Sequence, residues 1–182
     1  MLKLAAALTV LAAPAFAAGL DITVAGQANG TIHVDLFEDV APQHVAQIEK
    51  IAAEGGYDGV VFHRVIDGFM AQTGDVEFGK TGGDLSRAGM GGSEYPDIPA
   101  EFTQDLSFDR GVVGMARSQN PDSANSQFFI MFAPGPFLDG QYTIVGQVTD
   151  GMDVVDQIKR GDGPNGSVTG EPDVMTEVVV TE

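Results

Sequence analysis

The chain has no cysteine and no tryptophan in its 182 residues, and only three histidines. Without cysteine there can be no disulfide, no thiolate nucleophile and no Cys-ligated zinc. A lipid anchor attached through cysteine is excluded as well. Positive charge is also scarce: nine Lys and Arg face 26 Asp and Glu, a formal net charge of −17. Nucleic acid and anionic lipid both call for a basic patch, so neither is an expected partner. Such a charge favours solubility, repels acidic partners and says nothing about fold. Beyond the first residues no stretch is long and apolar enough to read as a membrane-spanning helix.

The one apolar run comes first. "MLKLAAALTVLAAPAFA" carries Lys3, an apolar stretch from Leu4, and small residues at Ala15 and Ala17 flanking Phe16. That is the pattern of an export signal, with cleavage expected after Ala17. Residues 1–17 are therefore read as a signal peptide and 18–182 as one domain. The run is short for an uncleaved anchor, so no stable membrane insertion is expected. The periplasm is the expected address, with secretion as the alternative. A domain exported without disulfides must hold together by packing alone.

Strand signals dominate the rest. "DITVAGQ" and "TIHVDLF" flank Ala28-Asn29-Gly30, and Asn-Gly tolerates the positive φ of a hairpin turn. Ile32, Val34 and Leu36 alternate with His33, Asp35 and Phe37, the period of a strand with one buried face. "APQHVAQIEKIAAEGG" reads as a helix, with Pro42 at its first position, Val45, Ile48 and Ala52 on one face, and Gly55-Gly56 as the stop. "GVVFHRVI" and "FMAQT" read as strands joined near Asp67-Gly68. Gly79 to Pro99 reads as a long irregular loop. "GVVGMA", "SQFFIMFA" and "YTIVGQV" read as three more strands, "GMDVVDQIKR" as a short helix, Asp162 to Gly170 as loop, and "DVMTEVVVTE" as a last strand. This is not a βαβ alternation; an antiparallel sheet curled into a barrel or sandwich is the natural class.

"GDVEFGKT", Gly74 to Thr81, fits the phosphate-cradling pattern G-x-x-x-x-G-K-[ST]. Its context does not. A working loop leads into a helix whose N-terminus faces the phosphates. Here Gly82, Gly83, Gly89 and Gly91 crowd the next ten positions, and each costs a helix about 1 kcal/mol relative to Ala. Asp75 and Glu77 would also aim carboxylates at a polyphosphate. The glycines read as turn residues.

Three longer blocks carry more. "FHRVIDGFMAQTGD" (Phe62 to Asp75), "GVVGMARSQNPDSANSQFFI" (Gly111 to Ile130) and "FLDGQYTIVGQV" (Phe137 to Val148) resemble, in order, the conserved blocks of the cyclophilins. Those are peptidyl-prolyl cis–trans isomerases. The resemblance covers nearly all of the chain after the signal. It implies a closed eight-stranded antiparallel β-barrel capped by two α-helices, and a reaction without cofactor or metal.

The chemistry implied is rotation about an X-Pro bond, whose barrier is roughly 18–20 kcal/mol. No covalent bond breaks. A catalyst must prefer the twisted amide, in which the proline nitrogen turns pyramidal and its lone pair localises. A donor aimed at that nitrogen stabilises only the twisted state, while an apolar pocket grips the ring. By the resemblance Arg64 is the donor and Gln72 the amide that orders it. Phe69, Met70, Phe129 and Leu138 surround the ring. Ala116, Arg117 and Gln127 line the peptide groove, and Phe137 and Tyr142 stand at its rim.

Each residue has a plainer reading. Phe69, Met70 and Phe129 could be ordinary core. In an unbroken strand Val61, His63 and Val65 share one face and Phe62, Arg64 and Ile66 the other. A charge among such apolar neighbours needs a reason, and an ion pair with an acid is the structural alternative. His63 reads as hydrogen-bonded or exposed, not as a base or ligand. Ser126 has no G-x-S-x-G elbow. The sequons at Asn29 and Asn165 read as turns.

Phe137 and Tyr142 stand where many eukaryotic members carry Trp and His. Phe keeps the apolar wall but lacks the indole N–H, so activity is expected to survive and cyclosporin binding to be weak. Arg117 replaces a common Asn, and Asp67 a frequent Pro. The expected partners are proline-containing unfolded or newly exported chains, and a monomer is the default. The rival readings are a groove that binds proline peptides without turnover, and a nucleotide-binding enzyme.

Overall fold

β1 (Gly19–Ala25) and β2 (Gly30–Leu36) form the hairpin that the alternation around Asn29-Gly30 predicts. Their inward residues, Leu20, Ile22, Val24, Ile32, Val34 and Leu36, are all buried. The computed structural model describes residues 18–181. The expected signal peptide, residues 1–17, lies outside the described residues.

Helix α1 (Pro42–Ala53) begins at the predicted proline and buries Val45, Ile48 and Ala52, joined by Ile51. Ala41 gives it no side-chain cap. The cap comes from far along the chain instead. The Glu101 carboxylate accepts the backbone N–H groups of Gln43 and His44, each at 3.1 Å, and the Nδ1–H of the fully buried His44 at 2.6 Å. An anion suits a helix N-terminus. Burial pushes the Glu101 carboxyl up, but the hydrogen bonds from His44 and Gln43 outweigh it and hold the group below its ordinary 4.5. A depressed carboxylate stabilises the fold above its unfolded pKa and loses that contribution as pH falls through the folded value. Stability should therefore fall below about pH 4.5. Glu101→Gln should flatten that part of the acid limb in urea melts compared across pH.

The strands that follow are β3 (Val60–Val61), β4 (Arg64–Ile66), β5 (Met70–Thr73), β6 (Val112–Met115), β7 (Phe128–Met131), β8 (Ile144–Asp150) and β9 (Val174–Thr181), with α2 (Met152–Gln157) after β8. They make one antiparallel sheet in the order β3-β9-β1-β2-β8-β6-β7-β5-β4. The closed eight-stranded barrel is thus corrected. Among the described residues there are nine strands, and the sheet is a curled, open half-barrel with two α-helices. The predicted single strand "GVVFHRVI" breaks at Phe62-His63, and its halves become the two ends of the sheet. The two halves take different partners. Val60–Val61 pairs with β9, a register that the Phe62 N–H continues to the Asp173 carbonyl at 2.9 Å, while Arg64–Ile66 pairs with β5; the Phe62 ring is fully buried. Phe62 therefore does not share a face with Arg64 and Ile66 as an unbroken strand requires.

The curl has two apolar bodies. One fills the inside, with Phe62, Val65, Phe128 and Ile130 among its members. The other lies on the outer face of β5–β8 and contains Met70, Phe108, Val112, Phe129, Met131, Leu138 and Ile144. β7 feeds both, which explains why Phe128–Met131 is apolar at every position.

No helix follows Gly74–Thr81. Asp75, fully buried, fills the loop's interior. Its Oδ1 accepts the N–H groups of Glu77 and Phe78 at 3.1 and 2.8 Å, and its Oδ2 those of Gly89 and Gly91 at 2.7 and 3.0 Å. Lys80 Nζ is committed to the carbonyls of Gly56 and Asp58. The amides and the lysine that a phosphate would need already have partners. Gly79 to Pro99 is irregular as expected, apart from one 3-10 turn at Leu85–Arg87.

Candidate active site

The pairing register lines up the site before any side chain is considered. Arg64 on β4 faces Gln72 on β5; Gln72 faces Phe129 on β7; Phe129 faces Gly114 on β6. Side chains two apart on a strand share a face. The same outer face therefore carries Ile66, Met70, Gln127, Met131 and Ala116. A cavity of about 160 Å³ opens there, lined by Arg64, Phe69, Met70, Gln72, Ala116, Arg117, Phe129 and Tyr142. Eight of the residues expected from the sequence thus meet at one place.

The other three lie close by. Gln127 lines the adjoining hollow of about 360 Å³, with Gly89, Met90, Ser118 and Asn125. Leu138 is buried beneath the site in the outer cluster rather than in the cavity wall. Phe137 is 63% exposed at the rim, its ring centroid 5.5 Å from that of Phe69. A roomier hollow of about 530 Å³ sits between the end of α1 and Val76–Tyr95. Its donors Lys80 Nζ, Ser93 Oγ and Tyr95 Oη are already engaged, so none stands free over an apolar floor.

That floor is built from aromatic rings. Phe129 stacks on Phe108 at 5.7 Å and meets Tyr142 edge-on at 6.0 Å. Gly114 makes the stack possible, since a Cβ there would lie 2.6 Å from both Phe rings. Phe129 and Met70 are both core and site: they pack below and show one edge above.

Arg64 makes no ion pair among the described residues, so the acid-partner alternative falls. Its Nη1–H donates to Gln72 Oε1 at 3.0 Å and its Nε–H to the Asn165 carbonyl at 2.9 Å. Nη2 has no protein partner among the described residues and remains a free donor. Gln72 is fixed in turn: its Nε2 donates to Gln127 Oε1 at 2.9 Å, and Gln127 Nε2 donates to the Gly91 carbonyl at 2.8 Å. A line of amides thus runs from the irregular loop to the guanidinium. Burial lowers the Arg64 pKa, yet a guanidinium stays charged. Arg117 lies over the Tyr142 ring at 4.2 Å and donates to the carbonyls of Ser118 and Gln141. It braces the groove wall.

His63 is neither hydrogen-bonded nor exposed, which corrects the reading of it. It is 8% exposed, and neither ring nitrogen has a hydrogen-bond partner among the described residues. Burial lowers its pKa, more than the nearby Asp75 charge raises it. With His63 held neutral and Arg64 held charged, kcat/KM should be flat from about pH 6.5 to 9. A bell-shaped profile in that range would point to a titrating catalytic group instead. Asn165 and Asp75 were missed as supports of the site. Asn-Gly signalled only a turn, and a main-chain carbonyl leaves no mark in a sequence.

Residues 20–180 match the family model described as cyclophilin type peptidyl-prolyl cis-trans isomerase/CLD. The chain is 58% identical over 154 residues to a probable peptidyl-prolyl cis-trans isomerase of Brucella suis biovar 1 (strain 1330), covering 84% of this chain and 78% of that one. Among solved structures it is similar to a cyclophilin type peptidyl-prolyl cis-trans isomerase of Cryptosporidium parvum crystallised in the presence of the dipeptide Ala-Pro. The TM-score is 0.75 at 26% identity, over 90% of this chain and 99% of that one. It is also similar to the cyclophilin AquaCyp293 from Hirschia baltica, with a TM-score of 0.72 at 26% identity, over 88% and 73% of the two chains.

Proposed function

Since the chain belongs to the cyclophilin-type peptidyl-prolyl cis–trans isomerases and is such an enzyme, we propose that Arg64 drives the rotation from this cavity. The carrying observation is a guanidinium anchored at two nitrogens, with its third directed at no protein group, beside an apolar floor of Phe69, Met70 and Phe129. The proline ring rests on that floor. As the amide twists, Nη2–H donates to the pyramidal nitrogen. The anchors are in place beforehand, so little reorganisation accompanies the step. Cyclophilins take proline-containing peptides, and the Cryptosporidium structure was obtained with Ala-Pro; the groove here suits the same class.

The test is the exchange rate of a short X-Pro peptide with the protein present, with Arg64→Ala and without protein. Uncatalysed exchange takes on the order of 10–100 s. Acceleration by the wild type, lost in the variant, supports the role of Arg64. Acceleration that survives in the variant removes Arg64 from the mechanism.

We place the enzyme in the periplasm, acting as a monomer on unfolded or newly exported chains. The leading apolar segment, with its export-signal pattern, supports the periplasmic address. The exposed Phe137, with no indole N–H to offer, supports weak cyclosporin binding.

A further inference from the structure

Asn165 is the only non-glycine with positive φ among the described residues, at φ 56° and ψ 22°. The left-handed region is unfavourable for residues with a side chain, Asn less so than most. An outlier of this kind asks for a cause. The Asn165 side chain supplies none, for it takes part in no hydrogen bond among the described residues. The main chain does: the Asn165 carbonyl is the acceptor for Arg64 Nε.

The surrounding loop is built to hold that carbonyl in place. Ser167 bridges to Arg64 itself, and Val168 N–H donates to the His63 carbonyl at 3.0 Å. Gly166, at φ 79°, lies so close to β4 that a Cβ would strike Ile66 and approach the Val65 carbonyl to 3.1 Å. At the loop's base the Asp162 carboxylate accepts the N–H and hydroxyl of Thr169 at 3.0 and 2.8 Å. The strained residue thus sits at the tip of a loop seated on the strand that carries the donor.

We infer that Asn165 is a positioning residue for the isomerisation. Its left-handed backbone aims the carbonyl at Nε while Gln72 holds Nη1. One fixed point would let the guanidinium swing; two define its plane and turn Nη2 to the cavity. The inference rests on the role proposed for Arg64.

The test uses the full chain with Asn165→Gly, Asn165→Asp, Asn165→Ala and Asn165→Val, alone and with Arg64→Ala. Gly and Asp accept the left-handed backbone and should keep kcat within about twofold. Val should lower kcat by about tenfold with KM little changed, because orientation rather than binding is lost. Ala should fall between, and it keeps the series readable if Val does not fold. The Arg64 Nε–H resonance should be protected from exchange in the wild type and in Gly, and unprotected in Val or Ala. On Arg64→Ala, the Val or Ala change should cost nothing further. Full kcat in Ala and Val would overturn the inference, as would an equal loss on the Arg64→Ala background or a loss in Gly and Asp as deep as in Val. An Arg64→Ala enzyme as fast as the wild type would instead overturn the role of Arg64 itself.

Discussion

Arg64→Ala should lower kcat/KM for a short X-Pro peptide by roughly ten- to a hundredfold while the protein stays folded. The range follows from a hydrogen bond to a charged group, about 1.5–3 kcal/mol, at about 1.36 kcal/mol per factor of ten in rate. On the proposed mechanism the donor meets its acceptor only in the twisted state, so the loss should fall mainly on kcat. The partly exposed side chain packs little, so the melting temperature should move only slightly. Arg64→Lys should recover almost nothing. A lysine brings charge but cannot hold Gln72 and Asn165 with two nitrogens while donating with a third. Recovery by Lys to near wild type would mean that positive charge alone suffices.

Asp75→Ala should be the most damaging single change outside the apolar core. It strands four backbone N–H groups that have no other acceptor in the loop, those of Glu77, Phe78, Gly89 and Gly91. Each buried unsatisfied donor costs about 1–3 kcal/mol, so a loss of more than about 3 kcal/mol is expected even with partial relaxation. Asp75→Asn should recover less than half, since its NH2 must face two of those donors. Urea denaturation gives the stability, and amide exchange at Gly89 and Gly91 locates the damage. Activity should drop too, because Gly91 anchors Gln127 and through it Gln72. A melt unchanged from wild type would show that the loop finds other partners.

What the sequence displayed of this site followed from period two. Arg64, Met70, Gln72, Gln127 and Phe129 fall at alternate positions of their strands, and antiparallel pairing brings them into one row. The blocks resembling cyclophilins named all eleven residues. Periodicity could not show where a strand would be broken by a partner distant in the chain. Val60–Val61 pairs with β9 while Arg64–Ile66 pairs with β5, and α1 takes its cap from Glu101. Closure was what the resemblance implied; local pattern counts strands but does not show what joins the first to the last. The phosphate-loop pattern was read correctly as turns, yet the function of its aspartate as a buried acceptor was invisible.

The open sheet leaves two edges, and both are short and already covered. β3 has two residues and β4 three. Along β3, Val60 bridges to Lys80 and Val61 N–H donates to the Gly79 carbonyl. Along β4, the carbonyls of His63 and Val65 accept from Val168 and Gly161. A bare edge is a template on which another extended chain can add itself as a strand. A peptidyl-prolyl isomerase binds peptide chains, and an uncapped rim would collect them and seed aggregates. With the rim occupied by its own loops, the protein leaves such chains only the groove, where they can be released once the proline has turned.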